Sequence, residues 1–308
     1  MKLINKIVLS VIGIALLLLL ISFLIGFRLD NFQGLFNGEY RYEKAEPYIT
    51  TNELEKINIK IDSENITIKS HDKKTIEVHY FIKDNQEVEI KENNNILELN
   101  VKQTFKLVIF QGIFQYAETK IEVFIPKNND LVINIDLNAG NIKFEDIQVN
   151  TLEVKCETGN TTLKNVNSSA IGITSNTGNI ILNEINSSQI DINKKVGNID
   201  LKNTQANIIN IVLKTGNITL KEITTTNIDV TNNVGNISST NIQGNTINLY
   251  TKTGNIDIKE NNLYTITLKI NNVGNISVKR KKQSNYYQDI KGDDIFNATV
   301  SEGNIDYN

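Results

Sequence analysis

The sequence predicts an all-β chain, a parallel β-solenoid (β-helix-like) with 19-residue coils, preceded by one transmembrane helix. Three observations carry that reading. Glycine followed by asparagine recurs at one fixed interval, at Gly140, Gly159, Gly178, Gly197, Gly216, Gly235 and Gly254. Between these pairs, apolar and polar residues alternate with a period of two. Near the N-terminus, Ile7 to Phe27 is a 21-residue run without a charge.

That apolar run is long enough to cross a bilayer as a helix. Lys2 and Lys6 precede it, while Arg28 is followed closely by Asp30, so the positive-inside rule places residues 1–6 in the cytoplasm and the body outside. A cleaved signal peptide is the competing reading. The run exceeds the usual apolar core of such peptides, and no A-x-A-like site follows it, which favours an uncleaved anchor. Residues 28–54 then form a juxtamembrane stalk. Its Phe32, Phe36, Tyr40 and Tyr42 either sit at the headgroup level or pack on the domain that follows.

The chain has 308 residues, enough for one large or two ordinary domains. Its net charge of −3 implies no bulk attraction to nucleic acid or anionic lipid. Cys156 is the single cysteine, so no disulfide forms within the chain.

From Lys56 the period-2 pattern begins. Ile57, Ile59 and Ile61 alternate with polar residues, as do Val88 and Ile90, then Leu97, Leu99 and Val101, then Ile121, Val123 and Ile125. Residues 55–130 are therefore read as the N-terminal cap and first strands of the solenoid. Ser63-Glu64-Asn65-Ile66-Thr67-Ile68 resembles a degenerate early copy of the later repeat.

Residues 131–284 hold the repeat itself. With Gly178 at position zero, Ile180, Leu182, Ile185, Ile190 and Ile192 mark apolar positions +2, +4, +7, +12 and +14. Each unit thus carries two short alternating strands, and a helical period is absent. An antiparallel meander could use Gly-Asn as a hairpin turn. The constant spacing favours a solenoid, because a stacked column does not tolerate a change in length. Asn141, Asn160, Asn179, Asn198, Asn217, Asn236, Asn255 and Asn275 would then lie about 4.8 Å apart, close enough to hydrogen-bond up a ladder. Glycine beside each would supply a corner with φ > 0. Gly244 falls out of phase and reads as incidental. About nine coils would make a rod roughly 43 Å long.

An open stack edge invites aggregation, so atypical terminal units are expected. Residues 285–308 read as the C-terminal cap, with Asn297 to Tyr307 returning as the final strand.

Catalytic groups are scarce. His71 and His79 come without clustered carboxylates or cysteines and make a poor metal site. No phosphate loop, nucleophile elbow or zinc-protease stretch is present. No cofactor, metal or nucleic acid is implied. Two surfaces could meet a partner. Phe105 to Tyr116, with Phe105, Phe110 and Phe114, is either an exposed apolar surface or a plug over the open end of the core. Lys279, Arg280, Lys281 and Lys282 form a basic patch, read most simply as a soluble loop. Lys164, Lys202, Lys221, Lys259 and Lys279 share position +5, but neighbouring acids make this a charge-mixed face.

The stretch from about Lys56 to the end resembles a bacterial family named putative adhesins, a β-strand-repeat domain of otherwise unknown function. The resemblance rests on Ile125-Pro126-Lys127-Asn128-Asn129-Asp130 leading into Leu131-Val132-Ile133-Asn134-Ile135 and the first Gly-Asn-Ile. It implies a β-solenoid behind a single membrane span, with no catalytic residues to carry over. Nearly uniform Asn after Gly departs from the family's mixture of Asp, Ser and Asn.

The expected function is therefore non-enzymatic: an anchored extracytoplasmic solenoid presenting repetitive faces to a polymer, peptide or protein of the cell envelope. A self-assembling membrane-tethered scaffold is the alternative. A polysaccharide-cleaving β-helix enzyme would need a carboxylate-and-base cluster that the sequence lacks.

Overall fold

One coil closes after 19 residues because its backbone turns at three places. At position zero stands a glycine with φ between +125° and +147° from Gly140 to Gly254. A second turn falls at +6, where Asp146, Asn165, Glu184, Asn203, Glu222 and Asn241 all have φ near +50°. That is the left-handed region, which Asn and Asp tolerate best. A third break in the register comes at +10. Each coil is thus three extended segments, at +2 to +5, +7 to +9 and +11 to +18, where the sequence suggested two.

In the computed structural model the described residues are 42–83, 86–104, 120–127, 129–259, 265–273, 275–278, 281–283, 286–290 and 295–307. The chain divides into two units. One, Met1–Tyr42, Lys83–Asn85 and Thr104–Glu118, lies almost wholly outside the described residues, as does the expected span from Ile7 to Phe27. The other, Glu43–Ile82, Gln86–Gln103 and Thr119–Asn308, is the β body. Among the described residues no helix is long and apolar enough to cross a membrane.

The long strands Ile142–Thr158, Thr161–Thr177, Ile180–Val196, Ile199–Thr215 and Ile218–Val234 pair in parallel, each residue beside its equivalent 19 positions on. Neighbouring segments therefore run in the same direction, as a solenoid requires and a meander forbids.

The apolar positions read from the sequence point inward. Ile180, Leu182, Ile185, Ile190 and Ile192 are all buried, and so are their counterparts in the next coils. Two further inward columns carry no apolar signature. At +9 stand Val149, Ser168, Ser187, Ala206 and Thr225, and then Gly244. A Cβ on Gly244 would lie 2.7 Å from the carbonyl oxygen of Thr225. Gly244 is therefore not incidental: it occupies the interior slot of its coil where no side chain fits. At +16 stand Cys156, Ser175, Lys194, Leu213, Asn232 and Thr251, every one buried.

This second column meets the corner glycines. Asn232 Nδ2 donates to the Gly216 carbonyl at 2.9 Å, and Thr251 Oγ1 donates to that of Gly235 at 3.0 Å. Corner carbonyls that turn into the core need donors there, because an unpaired buried polar group is costly. Asn232 and Thr251 supply them for Gly216 and Gly235.

At both ends, order in space departs from order in sequence. Strand Lys56–Ser63 lies between Val132–Ala139 on one side and Ile96–Gln103 on the other, parallel to both. At the far end, Ile295–Glu302 pairs in parallel with Thr246–Thr253 and with Thr265–Val273. The C-terminal segment is thus not the final rung the sequence suggested. It slots between two earlier coils, and Thr265–Val273 with Ile276–Val278 forms the end.

Antiparallel strands cover each end coil. Gln86–Asn93 pairs with Ile96–Gln103, and Ile76–His79 with Lys120–Pro126. At the other end Tyr286–Ile290 pairs with Thr265–Val273, and Lys281–Gln283 with Ile276–Val278. Antiparallel partners break the parallel register and so stop further stacking. Part of the expected stalk is folded as well: Tyr48–Thr50 pairs with Ile76–His79, and Tyr48 packs against the core.

Candidate binding faces

Among the described residues the stack presents its outward side chains in columns, and each column has its own chemistry. The corner column is the asparagine ladder. Oδ1 of Asn141, Asn160, Asn179, Asn198, Asn217 and Asn236 each accepts the backbone N–H of the asparagine one coil on, at 2.8 to 3.0 Å. The donor is thus mainly the main chain rather than the side-chain amide. The column also extends further than the Gly-Asn spacing indicated. Asn65 Oδ1 accepts from Asn141 N at 2.8 Å, and Asn304 stands between Asn255 and Asn275.

On the first segment, positions +3 and +5 hold charges of both signs. Lys202 Nζ lies 2.8 Å from Asp200, and Lys259 Nζ 3.4 Å from Asp257. Lys69 bridges Glu145 at 3.2 Å and Glu122 at 3.9 Å. The Glu145 carboxyl is held below the usual range by Lys143 and, against the opposing effect of burial, by Lys69. The +5 lysines are thus partly neutralised within the protein.

The third segment carries a ladder that the sequence reading missed. At +13, Asn210 Nδ2 donates to Asp191 at 2.8 Å, Asn248 to Asp229 at 2.6 Å, and Asn297 to Asn248 at 2.8 Å. Asn and Asp at 19-residue intervals were the available signal. Towards the N-terminal end this face forms a shallow cleft of about 480 Å³ lined by Asn58, Lys60, Glu98, Asn134, Asp136 and Lys155.

The second segment differs from both. Position +8 presents Gln148, Asn167, Asn186, Gln205, Thr224 and Gln243, all exposed and in register. Position +10 presents Asn150, Ser169, Ser188, Asn207, Thr226 and Asn245, also exposed. None of these twelve residues is charged.

The titratable candidates sit among local partners. His71 Nε2 lies 2.6 Å from the Thr75 carbonyl, and His79 Nε2 lies 3.1 Å from Glu77. Both imidazoles pack against Phe124, His71 tilted with its centroid 5.9 Å away and His79 edge-on at 5.0 Å. Cys156 is buried, which raises its thiol pKa. Among the described residues no group of three or more His, Cys, Asp or Glu could hold a metal ion. Phe105, Phe110, Phe114, Lys279 and Arg280 lie outside the described residues. Lys281 and Lys282 fall in the strand Lys281–Gln283, not in the loop read from the sequence.

A capped parallel β-solenoid with stacked polar ladders defines a β-repeat protein. The chain belongs to the Toastrack DUF4097 family, whose model matches residues 54–221 and 188–295. No curated protein matches it. Among solved structures, it is similar to a putative adhesin from Bacteroides fragilis, at 15% identity over 87% of this chain and 97% of that one, with a TM-score of 0.47. A putative adhesin from Parabacteroides merdae is 12% identical over 89% and 98%, with a TM-score of 0.49. A putative lipid binding protein from Parabacteroides distasonis is 13% identical over 89% and 98%, with a TM-score of 0.48.

Proposed function

We propose that this protein is a non-enzymatic binding scaffold, tethered by residues 7–27 with its N-terminus in the cytoplasm, that displays its β body to a polymer or protein of the cell envelope. One observation carries the reading. The outward side chains stand in straight columns, repeated at the strand spacing of about 4.8 Å. Individually weak contacts become strong when a partner with its own repeat engages several at once. The scarcity of clustered titratable groups among the described residues supports binding over turnover.

The alternative is a filament built by end-to-end stacking. Antiparallel strands over both end coils weigh against it, since a filament needs open parallel edges.

A membrane-impermeant lysine reagent applied to intact cells tests the orientation. Labelling of the body at exposed lysines such as Lys164 is expected; labelling only after lysis would sink the outward reading. Binding of the full chain to isolated envelope polymers and envelope proteins tests the role.

A further inference from the structure

On the reading that the body binds an extended partner, we propose that the +8 and +10 columns form the docking strip for an uncharged, hydroxyl-rich glycan strand lying along the stack. Gln148 to Gln243 at +8 follow one another through five successive parallel registers, so the strip spans about 24 Å at the usual strand spacing. Its flanking column at +10 continues the same chemistry from Asn150 to Asn245.

Two independent features single this strip out. The first is its lack of charge. The segment before it carries Lys164, Asp200, Lys202, Lys221 and Asp257, and the segment after it carries Lys60, Asp136, Lys155, Asp191 and Asp229. The second is that its side chains are unengaged. The amides of the two ladders, by contrast, are occupied: the corner asparagines accept main-chain N–H groups, and Asn210 and Asn248 donate to aspartates. Beside the strip, Asn165 donates to Asp146 at 2.8 Å and Asn241 to Glu222 at 3.0 Å. None of the side chains at +8 or +10 hydrogen-bonds to another described residue.

The chemistry of the strip selects the occupant. A carboxamide offers two donors and an acceptor, and a hydroxyl offers one donor and two lone pairs, so both sides of a sugar hydroxyl can be met. A polyanion or polycation finds no opposite charge at these positions. A lipid or apolar peptide finds no apolar side chain in either column. A linear polymer meets the same groups at each coil, so small contacts accumulate along its length.

The test is titration of the full chain with laminarin and chitin hexasaccharide as neutral glycans, hyaluronan as a polyanion, and solubilised envelope proteins. The triple variant Asn167→Ala, Asn186→Ala, Gln205→Ala removes three adjacent amides at exposed positions. The triple Lys164→Ala, Lys202→Ala, Lys221→Ala is the control. A neutral glycan is expected to bind with affinity that changes less than about twofold as salt is raised, because no ion pair is screened. The amide triple is expected to lose about tenfold or more, as multivalent contact predicts, and the lysine triple to bind normally. Binding of hyaluronan or of a protein alone overturns the glycan assignment and leaves the scaffold reading standing. Neutral-glycan binding that the amide triple leaves intact, or that the lysine triple also weakens, overturns the strip. If nothing binds, the scaffold reading fails with it.

Discussion

Asn255 Oδ1 accepts the backbone N–H of Asn304 at 2.9 Å although 49 residues separate them. Asn304 Oδ1 in turn accepts from Asn275 N at 3.0 Å. The C-terminal strand is therefore a full member of the stack, bonded on both sides. Its Gly303 takes φ +142° like the other corner glycines. Since Thr265–Val273 and Thr246–Thr253 each pair with Ile295–Glu302, the C-terminal end of the body is completed only when the last strand enters.

Phe296 fills the +12 column within that inserted strand and is buried. Phe296→Ala should cost about 3–5 kcal/mol, the range for a large side chain removed from a close-packed core. Because the strand has partners on both sides, hydrogen-exchange protection should fall in Thr246–Thr253 as well as in Ile295–Glu302 itself. A loss confined to the inserted strand would contradict the two-sided pairing.

Asn179 tests the ladder. Its Oδ1 accepts the Asn198 N–H at 2.9 Å, and its own N–H donates to Asn160 Oδ1 at 2.8 Å. Asn179→Ala removes the first bond and keeps the second. A cost of about 1 kcal/mol is expected for one lost hydrogen bond at an exposed corner. Amide exchange should quicken at Asn198 and not at Asn179, which NMR resolves directly.

Two glycines should respond to alanine with very different losses. A Cβ on Gly197, at φ +125°, would lie 1.6 Å from the Gly178 carbonyl oxygen. Neither the backbone conformation nor the stacked carbonyl can give way, so Gly197→Ala should destabilise by about 3 kcal/mol or more. Gly172 has no such φ, and its nearest obstacle is the Glu153 carboxylate at the end of a flexible side chain. Gly172→Ala should stay within about 0.5 kcal/mol. Denaturant midpoints for the pair decide it.

These contrasts show what the sequence made legible. The Gly-Asn interval and the alternation at Ile180, Leu182, Ile185, Ile190 and Ile192 report groups that need a corner or a core, so both could be read directly. Ser187 at +9 and Asn232 at +16 are just as deep, but what they meet is a tight corner or an inward carbonyl. Small size and hydrogen bonding leave no apolar trace. The insertion of Ile295–Glu302 was hidden for another reason. Each coil looks alike to its neighbours, so periodicity reports that a segment stacks without reporting where. Of the candidate surface, the +8 amides were visible as residues, but only the fold placed them in one file.

Glu77 anchors the N-terminal cap. Lys73 Nζ donates to it at 2.8 Å, His79 lies 3.1 Å away, and Thr75 Oγ1 donates at 3.1 Å. The bond from Lys73, followed by that from His79, lowers its carboxyl from 4.5 to about 2. A folded-state pKa below the unfolded one stabilises the protein above the unfolded value, and that contribution is lost as pH falls from about 4.5 towards 2. Glu77→Gln should therefore lower the melting temperature at pH 6, with the gap from the natural protein narrowing below about pH 4. A gap independent of pH would show that the charge is not what matters.

Lys194 has the opposite sign. It is 0% exposed in the +16 column, and its Nζ donates to Ser175 Oγ at 3.0 Å. An ammonium has three donors, and no carboxylate pairs with it among the described residues. Burial lowers its pKa from 10.5, partly offset by Cys156. The unfolded chain then holds the proton more tightly than the folded one, so stability rises with pH from the folded pKa up to the unfolded value. Leu213 shows that the next coil accepts leucine at the equivalent place. Replacing a buried amine that no carboxylate among the described residues pairs with by a side chain of the core's own kind should help, so Lys194→Leu should raise the melting temperature at pH 7 by about 3 °C or more. The advantage should shrink as pH rises towards 10.5 and level off above it, where the amine of the natural protein is neutral in both states. A variant less stable than the natural protein at pH 7 would mean that the bond to Ser175 outweighs the cost of burying the amine.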